Sequence, residues 1–241
     1  MNILIVNDDS IYAPGIELLA KAAAQLGRVW VVAPAQQCSA MSHKITIWGN
    51  LHIEKVDNFP VEVEGAYKVE GSPADCVKVA LDYILEEKPD YVFSGINNGY
   101  NVGYEIAYSG TMAAAVESLM NGVPSIAFSS ANNMPMTLAE SYIVDIAKEL
   151  IQREPSLKYV WNVNFPAAND NLANGILYDR SVAPKWLYSH YYTEKRNSDG
   201  STSLELHGTP ITNPEDVPAG TDIEAILRGY ISIGKVYSAV V

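Results

Sequence analysis

The sequence is poor in cysteine and lacks any long run of apolar residues. Its two cysteines, Cys38 and Cys76, stand alone without a C-x-x-C spacing, which favours a reducing compartment over a disulfide framework. No apolar stretch approaches the ~18 residues that a membrane span needs. The opening residues, MNILIV, have no basic segment of the kind that begins a signal peptide. We therefore expect a cytoplasmic protein with no membrane partner.

Positive charge is also scarce, with 16 Lys and Arg against 28 Asp and Glu and a net charge of -12. A nucleic-acid polymer needs a basic face, so the balance argues against such a partner. A small anion is still allowed if a metal ion or a helix N-terminus supplies local positive potential. The 241 residues, 48% of them hydrophobic, suit one domain of good size, or a domain with an extension.

Short apolar runs alternate with segments of helical period as far as residue 166. Such runs are typical of parallel strands covered on both faces, and the alternation predicts an α/β fold with a doubly wound, mostly parallel sheet, Rossmann-like and three-layered. The predicted strands are Ile3 to Val6, Val29 to Ala33, Tyr91 to Phe93, Ser125 to Phe128 and Tyr159 to Asn164. The predicted helices are Gly15 to Leu26, Pro73 to Glu87, Thr111 to Met120 and Thr137 to Arg153.

Two regions depart from this alternation. Residues 44–70 predict a small antiparallel insertion, with turns at Gly49-Asn50 and from Asn58 to Pro60. Residues 171–241 predict a C-terminal extension on a catalytic core of residues 1–170, with a long hairpin that turns at Ser198 to Gly200 and a terminal strand in GYISIGKV. The hairpin is either an extra sheet on the same domain or an arm that packs against a partner subunit.

Adjacent carboxylates, Asp8 and Asp9, follow the first predicted strand directly. Like charges at this spacing repel unless a positive charge lies between them. Neighbours on a strand point to opposite faces, so both can reach one ion only if the chain turns, as SIYAPG suggests. The alternative is an acidic N-cap for the next helix, which explains one carboxylate but not both.

The loops after two later strands carry further polar groups. VVAPAQQCSAMSHKIT places Ser39, Ser42, His43 and Thr46 on the same rim as Asp8; His43 is either a ligand or base, or a hydrogen-bonding surface group. The loop after Phe93 runs for about 16 residues to YSGT, and loops of this length are usually functional, although it could also be an ordinary approach to a capped helix. Its last residues, at positions 109–111, predict an N-cap and first turn whose free N–H groups and hydroxyls bind an anion.

These groups together predict a metal site opposite a phosphate site. Asp8, Asp9, Ser39 and Asn97 supply only oxygen ligands, which suit Mg²⁺ or Mn²⁺ rather than zinc. The ion would provide the missing positive charge and activate a water near a phosphate held at residues 109–111. Hydrolysis of a phosphate monoester is the chemistry implied.

Several segments in order resemble the SurE (stationary-phase survival protein) family of metal-dependent nucleotidases. They are ILIVNDDSIYAPGI, VVAPAQQCSAMSHKIT, VEGSPADCV, PDYVFSGINNGYNVGYEIAYSGTMAAAVE, GVPSIAFS and NVNFP, with GTDIEAILRGYISI as a weaker match near the C-terminus. The resemblance implies a cytoplasmic phosphatase that acts on nucleoside 5'- and 3'-monophosphates and, in some members, on short-chain polyphosphate. It also implies homodimers or homotetramers that exchange C-terminal arms, here the hairpin around residues 188–207.

The resemblance assigns roles residue by residue. It implies one divalent ion per subunit, bound by Asp8, Asp9, Ser39 and Asn97. It also implies phosphate contacts from Asn101, Ser109, Gly110 and Thr111, and Asp8 is our candidate for proton transfer. The sequence departs from the family pattern at four positions without losing a ligand: Ser10 and Ser42 replace glycine, Ser72 replaces threonine and Glu105 replaces aspartate. A serine at position 10 would be strained if the turn requires a positive φ.

Three other interpretations of the sequence make different demands on its residues. A haloacid-dehalogenase-type phosphatase needs Asp-x-Asp, whereas here the pair is adjacent. A receiver domain needs an aspartate at the end of a central strand and a lysine at the end of a later one, and the strand ends VVAPAQQ, VFSGINN and IAFSSAN supply neither. A non-catalytic module that senses a nucleotide or phosphate stays open.

Overall fold

The computed structural model describes residues 1–132, 135–153, 155–167 and 173–238. The strands are β1 (Asn2–Val6), β2 (Arg28–Pro34), β3 (Ile53–Lys55), β4 (Gly65–Val69), β5 (Tyr91–Asn98), β6 (Ser125–Ser130), β7 (Tyr159–Phe165), β8 (Ile176–Arg180), β9 (Tyr188–Arg196), β10 (Thr202–Pro210) and β11 (Ile231–Tyr237). The helices are α1 (Pro14–Ala23), α2 (Pro73–Val79), α3 (Gly110–Met120), α4 (Thr137–Gln152) and α5 (Asp222–Leu227). A π-helical turn at Ala80–Ile84 and 3-10 turns at Gly103–Tyr108 and Pro214–Asp216 complete them. Within the described ranges, none of the helices has both the length and the apolar character of a membrane span.

A nine-stranded sheet in the order β3-β4-β2-β1-β5-β6-β7-β11-β8 forms the centre of the fold. All neighbours from β4 to β7 pair in parallel, whereas β3 and β11 run antiparallel to β4 and β7. The chain builds outward from β1 through β2 and β4 on one side and through β5, β6 and β7 on the other. The strand order therefore reverses between β1 and β5, where doubly wound sheets bind their ligands. The predicted fold class is confirmed.

Helices cover both faces of the sheet, which explains why the strands read as continuous apolar runs. In β1, Ile3 and Ile5 belong to a core cluster shared with α1 and α4. The intervening residues, Leu4 and Val6, belong to a second cluster shared with α2 and α3. Because successive side chains alternate between faces, both sets of residues must be apolar. This packing fixes the ends of β1 and β5, from which the site described below is built.

The structure differs from the sequence prediction in residues 44–70. Only β3 pairs antiparallel with β4, and β4 also joins the main sheet as a parallel neighbour of β2. Residues 44–52 are irregular and mostly exposed, because their alternating apolar residues find no partner strand within the described part of the chain. The helix predicted from Pro73 to Glu87 is α-helical only as far as Val79, where it passes into a π-helical turn.

The C-terminal region contributes to two sheets. β11 and β8 extend the main sheet, whereas β9 and β10 form a separate antiparallel pair whose residues are almost all exposed. The predicted hairpin is therefore present, and its loop includes Gly200 at φ 85°. The predicted boundary between residues 170 and 171 lies outside the described residues, so the division into a core and an extension stays a prediction.

Candidate active site

The turn after β1 brings both carboxylates to the crevice between β1 and β5. Ser10 has φ 84°, a left-handed conformation, so the strain anticipated for serine at this position is present. The amide of Asn7 supports the turn by donating to the carbonyl oxygen of Ser10 at 2.7 Å. α1 begins only at Pro14, and its N-cap residue, Ala13, makes no side-chain cap bond. The interpretation of Asp8 and Asp9 as an N-cap is therefore wrong.

Asp8 is the buried member of the pair, with 5% of its surface exposed. Its Oδ1 accepts a hydrogen bond from the hydroxyl of Thr111 at 2.6 Å. Burial raises the pKa of Asp8 to about 6, with a smaller contribution from the charge of Asp9, while the bond from Thr111 opposes the rise. A carboxylate in this setting is stabilised by a nearby cation.

Asp9 is held at the same crevice by two donors. Its Oδ2 accepts from the backbone N–H of Asn98 at the end of β5, at 2.8 Å. Its Oδ1 accepts from the Nε2 of Gln37 in the loop after β2, at 3.2 Å. Three strand ends are therefore connected through one carboxylate.

Asn97 and Ser39 complete the predicted metal set. The Nδ2 of Asn97 donates to the carbonyl oxygen of Gly99 at 2.8 Å, so the amide oxygen is the atom of this side chain that could bind a cation. Ser39 is exposed in the loop after β2. The residue before Ser39 attaches that loop to the site, because the backbone N–H of Cys38 donates to the carbonyl oxygen of Asp8 at 2.7 Å.

The predicted phosphate site lies at the start of α3. Ser109 is the N-cap residue, and its hydroxyl accepts from the backbone N–H of Met112 at 3.0 Å. Gly110 lies so close to Asp8 that an added Cβ would be 2.8 Å from the Cβ of Asp8. A glycine is therefore required here by the carboxylate next to it. Thr111 is fully buried and donates its hydroxyl to Asp8, so its role as a phosphate ligand stays a prediction.

Asn101 is buried in a network of asparagines that the sequence did not reveal. Its backbone N–H donates to the Oδ1 of Asn164 at 2.9 Å, and its carbonyl oxygen accepts from the Nδ2 of Asn162 at 2.8 Å. Its own Nδ2 donates to the hydroxyl of Ser129 at 2.8 Å. Asn162 and Asn164 belong to β7, where polar residues inside a buried strand were the available signal.

A cavity of about 540 Å³ connects most of the predicted residues. Six of the eight predicted residues line it: Asp8, Asp9, Ser39, Asn97, Asn101 and Ser109. Gly110 and Thr111 lie next to Asp8 and do not line it. The sequence did not predict the rest of its wall, which includes Glu105, Tyr108, Trp186, His190 and Tyr192.

His43 lies outside this cavity. Its Nε2 is 2.8 Å from the Oε2 of Glu117 on α3, so it connects the loop that carries Ser39 to the helix that carries the phosphate site. The interpretation as a hydrogen-bonding group is the one that fits this contact. His43 is not placed among the candidate metal ligands.

The donor set fits a hard divalent cation. Within residues 1–132, 135–153, 155–167 and 173–238, no three His, Cys, Asp or Glu side chains cluster as a metal site. The candidate set has only two such residues, completed by an amide and a hydroxyl oxygen. An all-oxygen set with two carboxylates suits Mg²⁺ or Mn²⁺, which usually keep several water ligands. The buried carboxyl of Asp8, with its raised pKa, is the observation that calls for a positive charge.

Comparisons with known proteins find similar sequences and a similar fold. The profile of the family described as Survival protein SurE matches residues 3–187. A protein of Flavobacterium psychrophilum named 5'-nucleotidase SurE is 38% identical over 96% of this chain and 89% of its own length. A protein of the same name from Thermosipho africanus is 37% identical over 97% of this chain and 90% of its own. The crystal structure of the SurE protein from Aquifex aeolicus superposes with a TM-score of 0.84 at 34% identity, covering 98% of this chain and 93% of that one.

Proposed function

The chain belongs to the survival protein SurE family, and from this premise we propose that it hydrolyses nucleoside 5'-monophosphates to nucleosides and phosphate. The names of its relatives support a phosphoric monoester hydrolase. The resemblance extends the proposal to 3'-monophosphates and short-chain polyphosphate. It also supports a cytoplasmic location and a homodimer or homotetramer with exchanged hairpins.

The observation that carries the proposal is the shared cavity. It joins two carboxylates, Asp8 and Asp9, to an asparagine and a helix N-cap, Asn101 and Ser109, at the strand-order reversal of the sheet. Helix N-termini bind phosphate groups through free N–H groups and the helix dipole. A phosphate held there lies against the carboxylates, which suits a metal-dependent phosphatase.

We assign one divalent ion, Mg²⁺ or Mn²⁺, to Asp8, Asp9, Ser39 and Asn97. When bound, such an ion lowers the pKa of a water ligand and neutralises charge on the phosphate. Asn101 and Ser109 orient the phosphate, with the backbone of Gly110 beside them. Thr111 holds Asp8 through its hydroxyl. Asp8 is the candidate for proton transfer because it is the carboxylate that lies at both the metal and the phosphate side of the cavity.

The test is phosphate release from AMP, GMP, CMP and UMP, from 3'-AMP and from tripolyphosphate. Each is assayed with Mn²⁺ or Mg²⁺ and again with EDTA. We expect release that stops with the chelator and returns with the metal, and that is lost in Asp8→Ala and Asn97→Ala. Asn50→Ala, at an exposed position that does not line the cavity, should leave it unchanged. Full activity in Asp8→Ala would refute the site, and a folded protein that binds AMP without releasing phosphate would be a sensing module.

A further inference from the structure

We propose that Tyr108, Trp186, His190 and Tyr192 form a stacking platform for the nucleobase of the substrate. The inference rests on the proposed function and names the part of the molecule that recognises the leaving nucleoside. The four residues are called the aromatic wall below.

The aromatic wall and the candidate phosphate site share one cavity. Asp8, Asp9, Asn101 and Ser109 line its polar part, while the aromatic wall lines the rest. A nucleoside monophosphate has the same division, with a charged phosphate joined through the ribose to a flat ring. A substrate held by its phosphate at Ser109 therefore directs its base into the space bounded by the wall.

The residues of the wall remain partly exposed to solvent. Trp186 is 37% exposed, Tyr108 51% and Tyr192 62%. The ring centroids of Trp186 lie 5.6 Å from those of Tyr108 and 6.0 Å from His190. A flat ring needs about 3.5 Å on each side, so no base fits between the rings of Tyr108 and Trp186. The base must instead stack on the face of one of these rings that is turned away from the other. Stacking on an aromatic face strengthens the binding of any nucleotide, because every base has a π face.

Hydrogen bonds to the backbone fix the position of the wall. The Oε1 of Glu105 accepts from the backbone N–H groups of Leu187 and Tyr188, at 2.7 and 2.9 Å. The backbone N–H of Tyr104 donates to the carbonyl oxygen of Lys185 at 2.9 Å. Both contacts join the 3-10 turn that carries Tyr108 to the segment that carries Trp186. Because the wall is held before a ligand arrives, little conformational freedom is lost when a base stacks on it.

A second cavity offers a rival position for the base. It measures about 620 Å³ and shares Asp9 and Asn98 with the first. Its lining includes Tyr12 and Met136 but neither Asn101 nor Ser109. A phosphate held at the start of α3 lies outside it. The wall is therefore the better continuation of the phosphate site, and Tyr12 serves as the test of the alternative.

The experiment compares nucleotides with a phosphate monoester that has no base. AMP and CMP are the nucleotides, ribose 5-phosphate is the base-free substrate, and the variants are Trp186→Ala, Trp186→Phe and Tyr192→Ala. We expect Trp186→Ala to raise KM for AMP by about 10-fold, the order expected for the loss of one base–aromatic stack. KM and kcat for ribose 5-phosphate should change less than 2-fold, and Trp186→Phe should recover most of the loss for AMP.

Two controls use exposed tyrosines. Tyr191 is the residue before Tyr192 on β9, and its ring stacks on His207 with centroids 5.1 Å apart, away from the cavity lining. Tyr191→Ala should behave as the wild type toward all three substrates. An equal loss for AMP and ribose 5-phosphate in Trp186→Ala would show a structural role and overturn the proposal. A loss for AMP in Tyr12→Ala, with none in Trp186→Ala, would place the base in the second cavity.

The proposed function and the platform fail in different ways. If the wild type releases phosphate from no substrate, the proposed function fails, and the platform is then tested by equilibrium dialysis of AMP with wild type and Trp186→Ala. Weaker AMP binding in the variant still supports the platform. Equal binding overturns it. If ribose 5-phosphate is hydrolysed as well as AMP by the wild type, the phosphatase stands and the platform is overturned.

Discussion

The hydroxyl of Thr111 donates a hydrogen bond to the Oδ1 of Asp8 across 2.6 Å, although 103 positions separate them in the chain. The contact joins the end of β1 to the first turn of α3. It occupies one carboxylate oxygen of Asp8. It also orients a group that burial would otherwise disfavour in its charged form.

Thr111→Val should therefore weaken metal binding without removing a metal ligand. Valine keeps the shape of threonine but loses the donor that orients Asp8. Removing a group that orients a metal ligand typically costs about 10- to 100-fold in metal affinity. We expect a loss of that order in the affinity for Mn²⁺, measured by calorimetric titration in the absence of substrate.

Thr111→Ser is the matched control, since it keeps the hydroxyl and removes only the methyl group. Its affinity for Mn²⁺ should stay within about 3-fold of the wild type, an effect smaller than the loss of the donor. Should Thr111→Val bind Mn²⁺ as tightly as Thr111→Ser, the hydroxyl would not orient a metal ligand.

Ser10 and Ser42 both have a positive φ, at 84° and 52°, but only one of them is compensated by its side chain. The hydroxyl of Ser42 donates to the carbonyl oxygen of Ala107 at 2.8 Å. The hydroxyl of Ser10 accepts only a long bond of 3.3 Å from the backbone N–H of Tyr12. Glycine removes the strain at either position, but at residue 42 it also removes a hydrogen bond.

We therefore expect Ser10→Gly to be more stable than Ser42→Gly. Relief of about 1–2 kcal/mol of left-handed strain exceeds the ~0.5–1 kcal/mol that glycine costs through the unfolded state, so Ser10→Gly should raise the free energy of unfolding slightly. Ser42→Gly loses in addition a bond of about 1 kcal/mol and should be neutral or destabilising. Urea unfolding measures both, and a Ser10→Gly variant less stable than Ser42→Gly would contradict the argument.

Glu117 makes stability depend on pH through its contact with His43. The hydrogen bond from His43 holds the pKa of Glu117 below its usual 4.5, with further help from Asn121 and from the charges of His43 and Lys78. A lowered folded pKa gives stability that is present above about pH 4.5 and is lost as the pH falls through the folded pKa. The difference in unfolding free energy between wild type and Glu117→Gln should therefore shrink below pH 4.5.

A double-mutant cycle tests the origin of this dependence. If the His43 contact causes it, Glu117→Gln on a His43→Gln background should show a much smaller pH-dependent difference. Urea unfolding from pH 3.5 to 7 supplies the four free energies at each pH. A difference that survives unchanged without His43 would assign the effect to Asn121 and Lys78 instead.

The sheet could be predicted from sequence where burial on both faces leaves only apolar residues. β1, β2, β6 and β7 are such strands, and the predicted positions agree with them within two residues. β5 was predicted to end at Phe93 but continues to Asn98, because its last residues are the polar ones that reach the site. β4 and β11 were not predicted as members of the main sheet, since their partners are set by pairing far along the chain.

The residues of the candidate site likewise fall into those with a local sequence signal and those without one. Adjacent aspartates and a Gly/Asn-rich loop carry a local signal, which is why six predicted residues line one cavity. Trp186 and His190 carry no such signal, because they reach the cavity through contacts between segments far apart in the chain, such as the hydrogen bonds of Glu105 to the backbone of residues 187 and 188. Thr111 makes a contact that its position in the sequence did not reveal, since its hydroxyl donates to Asp8, and its role as a phosphate ligand stays a prediction.

Asn164 should matter for phosphate binding although it does not line the cavity. Its Oδ1 accepts from the backbone N–H of Asn101, and its Nδ2 donates to the carbonyl oxygen of the same residue at 3.2 Å. Asn164→Ala leaves that buried N–H without an acceptor, which costs about 1–3 kcal/mol of stability. Because the backbone of Asn101 is then free to shift, competitive inhibition by inorganic phosphate should weaken.

Asn174→Ala serves as the control, because it removes a single side-chain hydrogen bond, to the carbonyl oxygen of Arg228, at an exposed position. Its Ki for phosphate should equal that of the wild type, and an Asn164→Ala variant with the same Ki would show that the network stabilises β7 without positioning Asn101.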